Sequence, residues 1–109
     1  MGAEQQQFLY QFLPGDRLEL ATNPDAWTEE DESVAIAHFE RLKAATEEGK
    51  VILAGRSVDG VGPAVVIFEA ESEEEARRFM NDDPFVAAGL FRASMHPFRA
   101  SLVRRAPRP

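Results

Sequence analysis

A chain of 109 residues, 44% hydrophobic and 28% charged, suits a single globular domain with one core. Nineteen acidic against twelve basic residues leave a net charge of −7, which argues against nucleic acid or an anionic membrane as partner. With no cysteine, the chain is excluded from disulfide staples, thiol catalysis and thiolate metal sites. No apolar run approaches the roughly 18 residues of a membrane span, and the start carries no secretion signal, so a cytoplasmic location is expected.

The aromatic and apolar run Phe8–Leu13 predicts a first strand, closed by Pro14-Gly15-Asp16. Residues 14–28 lack periodicity and form a long loop, which is either functional, as such loops often are, or a surface excursion anchored by Trp27. Thr28 with Asp31 three residues on reads as a capping box, and four consecutive acids in the first turn suit the helix dipole. That helix should run to Glu48 and stop at Gly49. Its inward arc contains Val34, Ala35, His38, Phe39, Leu42 and Ala45.

Strands over 51–55 and 64–70, joined through Asp59-Gly60-Val61-Gly62-Pro63, predict a hairpin. Ser72 and Glu75 open a second helix with Ala76, Phe79 and Met80 inward, and Pro84 starts a shorter helical piece reaching Gly89. The last strand lies within Leu90–Val103, where Pro97 suggests an edge position, a strand end or a bulge, and residues 104–109 should fray. The order β-α-β-β-α-β is the split pattern of an α+β, ferredoxin-like fold. Its two helices can cover only one face of the sheet, while the strands are apolar on both. A homodimer is therefore expected to cover the second face.

His38 falls inside the apolar arc, where it is either a satisfied core histidine or a titratable group at the edge of a cleft. Asp83 before Pro84 reads first as an N-cap. Side-by-side helices would also let it meet His38, fixing one ring nitrogen and leaving the other for proton transfer. Arg17 and Arg56 are either solvated surface cations or anchors for a small anionic organic ligand. A metal triad of His38, Asp83 and His96 lacks any ligand spacing. The glycines at 55, 60 and 62 match no phosphate or dinucleotide fingerprint, and no cofactor is expected.

Several pieces, spread over about residues 8–103, resemble the YCII-related family of dimeric α/β-barrel proteins. They are His38-Phe39-Glu40-Arg41-Leu42, the run from Glu48 to Gly55, Phe68-Glu69-Ala70-Glu71-Ser72, the run from Asp82 to Phe91, and His96-Pro97-Phe98. The resemblance implies a ferredoxin-like protomer paired into a dimeric barrel, with the helix histidine, His38, approaching the aspartate of the Asp-Pro motif, Asp83. A related enzyme removes chloride from a chlorinated hydroxyquinol, and the fold is similar to that of muconolactone isomerases. The implied activity is thus lyase or isomerase chemistry on a small cyclic or aromatic acid. The chain departs from the family at Gly55-Arg56, where Gly-Pro is frequent. The alternative is a non-catalytic binding or structural protein that keeps the same pocket, since one fold hosts many functions.

Overall fold

The computed structural model describes residues 5–104; all but the first residue of the expected frayed tail, 104–109, lies outside it. Strand β1 spans Gln6–Pro14, helix α1 Glu29–Glu47, β2 Val51–Arg56, β3 Ala64–Ala70, α2 Glu73–Asn81, α3 Pro84–Ala87 and β4 Phe91–Phe98. The long loop is not featureless: two 3₁₀ turns, Leu18–Ala21 and Pro24–Ala26, break it up.

The ends of the elements follow local chemistry. Thr28 accepts from the Asp31 N–H while Asp31 accepts from the Thr28 N–H, a closed capping box. Gly49 leaves α1 at φ +88°, a conformation glycine adopts without penalty. At α2 the second box is only half formed. Ser72 caps Glu75, but the Glu75 carboxylate reaches the Glu71 N–H and Lys50 instead.

The four strands form one antiparallel sheet in the order β2-β3-β1-β4. Tyr10 of β1 sits between Val66 of β3 and Met95 of β4. Alternation then puts Phe8, Tyr10, Phe12, Val66, Phe68 and Met95 on the helix-covered face. There Phe8, Tyr10, Val66 and Phe68 are buried with Leu42, Ala45, Ala76 and Met80 from the helices. Pro97 fits because β4 is an edge strand.

Two expectations are corrected. The sheet is open and not closed into a barrel: β2 and β4 each pair with one neighbour and end the sheet. The two edge strands lie at opposite ends of the sheet with β3 and β1 between them, and among the described residues no strand hydrogen bonds join them. A mixed α/β topology of ferredoxin-like type stands; the dimeric α/β barrel does not. Phe39, placed inward by periodicity, is 64% exposed, because α1 turns Leu42 and Ala45 to the sheet and leaves Ile36 and Phe39 outside.

The opposite face carries the row Leu53–Ile67–Leu9–His96. Helix α3 and the long loop do not cover it. They pack on the helix side, where Trp27, Phe85 and Phe91 cluster around Phe12.

Candidate functional site

Helix α2 ends at Asn81, and the chain turns at Asp83 into α3, whose first residue is Pro84. Asp83 Oδ1 accepts the Phe85 N–H at 3.0 Å, so the residue is the N-cap that its sequence context suggests. The same oxygen lies 2.8 Å from His38 Nδ1, and Oδ2 accepts the Tyr10 hydroxyl at 2.7 Å. Both readings of Asp83 therefore hold at once. The carboxylate is fully buried, and His38 is 17% exposed at its side chain.

Burial pushes the Asp83 carboxyl upward. Hydrogen bonds from His38 and Tyr10, the His38 charge and the Phe85 N–H pull it down, and the net direction is downward. An ionised Asp83 accepts hydrogen bonds only, so Nδ1 is the ring nitrogen that carries a proton toward it, and in a neutral imidazole Nε2 would keep the lone pair. Tyr10 moves strongly the other way, through burial first and the Asp83 charge second. It is a permanent hydrogen-bond donor in this setting.

The imidazole is held between rings. Phe85 stacks on it at 4.0 Å between centroids and 23° between planes, and Phe12 meets it edge-on at 5.5 Å. Phe85 and Phe12 in turn contact Phe91, and Trp27 closes the cluster with its indole N–H on the Leu20 carbonyl. Such packing, with the Asp83 bond, restricts the ring's orientation.

The other sequence candidates separate. Arg17 makes a two-pronged bond to Asp31, at 2.9 and 2.7 Å, and a third bond to the Ala26 carbonyl. Its fork is filled by the helix cap and serves to fix the loop onto α1. Arg56 ends β2 opposite Ala64 and is exposed. Ala64 has the same parity as Val66, so Arg56 lies on the helix-covered side of the sheet. His96 pairs with Leu9 on the opposite face from Tyr10, so it cannot join His38 and Asp83. Among the described residues no three His, Asp or Glu side chains converge as metal ligands. No helix among them is long and apolar enough to cross a membrane.

Tyr10 is the member that motif reading passes over. The available signal is that the chain's one tyrosine occupies an inward strand position between Phe8 and Phe12. A hydroxyl there needs a buried acceptor. An open cleft of about 440 Å³ lies nearby between α3 and β4, lined by Gly15, Asp16, Val86, Gly89, Phe91, Arg92 and Ala93. It includes neither His38 nor Asp83, and touches their neighbourhood only through Phe91 and Ala93.

A buried carboxylate that fixes one imidazole nitrogen and frees the other, set beside an aromatic cluster, is the equipment of a small-molecule enzyme. The chain belongs to the YCII-related family, whose domain matches residues 18–97. Protein YciI of Escherichia coli O6:H1 (strain CFT073) and Protein YciI of Shigella flexneri are each 38% identical to it over 77 residues. Those matches cover 62% of this chain and 79% of theirs. Among solved structures it is similar to the 5-chloro-2-hydroxyhydroquinone dehydrochlorinase of Burkholderia phenoliruptrix AC1100 in complex with 2,5-dihydroxybenzoquinone. The TM-score is 0.51 at 26% identity, covering 85% of this chain and 93% of that one.

Proposed function

We propose that the protein is an enzyme in which His38 moves a proton on a small cyclic or aromatic anion, with lyase or isomerase outcome. The observation that carries this reading is the 2.8 Å bond between His38 Nδ1 and the fully buried Asp83. Nε2 takes a proton from a substrate O–H or C–H, and that bond's electron pair passes into the unsaturated ring. The pair leaves with an anionic substituent in a lyase. In an isomerase, the imidazolium returns the proton at another carbon. Similarity to a dehydrochlorinase of a chlorinated hydroxyhydroquinone supports ring substrates of this class.

Arg56 is the proposed anchor for the substrate's charge. The register that pairs Gln11 with Val65 brings Phe12 level with Ala64, in one row with Arg56. Two strand spacings, about 9.6 Å, separate the Arg56 and Phe12 backbones. An arginine side chain spans much of that distance toward the ring that touches His38. With a net charge of −7 the protein offers no general attraction to an anion, so a local cation has to supply it. Titration calorimetry with 2,5-dihydroxybenzoquinone and related hydroxylated quinones and cyclic acids should show binding that Arg56→Ala weakens about tenfold or more. If none of these compounds binds, the ligand class is wrong. Binding without turnover would favour the second reading, a binding protein, for which the aromatic wall of Phe12, Phe85 and Phe91 already suffices.

The domain is further proposed to act as a homodimer through its helix-free face, where Leu53 and Phe98 are 50% and 40% exposed. Sedimentation equilibrium at micromolar concentration should give twice the chain mass. A mass near 12.1 kDa would remove the proposal.

A further inference from the structure

Asp83 has two oxygens and three donors, and the third donor comes from neither helix. Tyr10 reaches it from the central strand β1, completely buried, at 2.7 Å. Residue 10 lies N-terminal to the stretch that the family domain matches. A buried hydroxyl requires an acceptor, and burial alone would be satisfied by a backbone carbonyl. Instead it bonds the one carboxylate that also holds His38. The ring is fixed by packing on three sides, against Phe12 at 5.6 Å, Phe68 at 5.6 Å and Phe79 at 6.3 Å.

We infer that Tyr10 is a positioning residue that shares the negative charge of Asp83 with His38 and thereby sets how tightly the imidazole holds a proton. The inference rests on the reading of His38 as the proton-transfer group. Its physical content is a competition. Each hydrogen bond donated to a carboxylate draws charge toward its donor, so the Tyr10 hydroxyl weakens the hold of Asp83 on a proton at His38. With Tyr10 in place, Asp83 stays ionised and fixes Nδ1–H, yet its charge is not devoted to the imidazole alone. Nε2 is left as the ring nitrogen that can accept, so the step proposed for this site is a proton abstraction.

The charged groups around this network are few. On α1, Arg41 places its guanidinium 4.2 Å above the Phe79 ring and donates to the Phe79 carbonyl at 2.8 Å. Its charge favours ionisation of Tyr10, against the effect of Asp83. Lys50, just before β2, lies 5.1 Å from the same ring and pairs with Glu75 of α2. Asp82 precedes Asp83 at the end of α2. The inward positions of β3 and β4 bring Val66, Phe68, Ala93 and Met95, and α3 brings Phe85, all uncharged. No other hydroxyl or cation donates to Asp83 among the described residues.

The test uses two features of the sequence: one tyrosine and two histidines. Histidine labelled with ¹³C and ¹⁵N gives two titrating signals, and His96 on the far face of the sheet serves as the internal control. Tyr10→Phe should tighten proton binding by His38 about threefold or more and leave His96 unmoved. Replacing the single tyrosine by 3-fluorotyrosine, a stronger donor of nearly the same size, should loosen it, an opposite sign that keeps the test alive if Tyr10→Phe does not fold. Opposite shifts at His38 alone support the inference. An unchanged His38 titration with both residues overturns it and leaves Tyr10 as packing. Absence of turnover on every ring compound would defeat the proton-transfer reading and leave the titration result untouched, so the two failures are distinguishable.

Discussion

If His38 is the proposed general base, His38→Ala should yield a folded protein whose turnover of a bound ring substrate falls by about 10²- to 10⁴-fold, the range a lost general base accounts for. Folding should survive because the side chain is at the rim of the core and Asp83 keeps its bonds from Tyr10 and the Phe85 N–H. Asp83→Asn should slow turnover by a smaller factor, since the base remains while its orientation and the charge that steadies the imidazolium are lost. Steady-state rates for the three proteins across pH 5 to 9, with circular dichroism as the folding check, decide the matter. Wild-type rates in His38→Ala would reduce His38 to a packed core residue.

Asp83→Ala has the largest expected effect on stability. It removes the cap of α3, worth about 1 kcal/mol, and leaves the fully buried Tyr10 hydroxyl without an acceptor, a cost of about 1–3 kcal/mol. A total of about 3 kcal/mol corresponds to a fall in Tm of roughly 15 °C for a domain of this size. The double substitution Tyr10→Phe with Asp83→Ala should recover part of that loss, because no polar group is then stranded. Thermal unfolding of the two single variants and the double variant measures it. Strict additivity would show that the hydroxyl and carboxylate are not coupled.

Much of this arrangement is legible in the sequence because it rests on local signals. Thr28 and Asp31 mark the start of α1, Gly49 its end, and Ser72 and Pro84 open the second and third helices. Those boundaries, with the β-α-β-β-α-β order, already bring the helix bearing His38 beside the chain that turns at Asp83. Side-chain partnership across elements is another matter. Arg17 looks like an available cation until the loop folds back and its fork meets Asp31, an acid that the capping motif had already accounted for. Phe39 satisfies the helical period but is exposed, because the apolar stripe that α1 buries runs through Leu42 and Ala45 and is narrower than the arc suggests. Tyr10 carries no motif, and only the pairing of β1 between β3 and β4 brings it under Asp83.

In the proposed reaction His38 Nε2 faces the reacting atom of a small ring anion while Nδ1 is held by Asp83. A crystal structure of the complex with 2,5-dihydroxybenzoquinone tests it most directly. A ligand oxygen or acidic carbon is expected within about 3.2 Å of His38 Nε2, with the His38–Asp83–Tyr10 bonds intact. A ligand seated only in the cleft between α3 and β4, or His38 turned so that Nε2 bonds to Asp83, would contradict it.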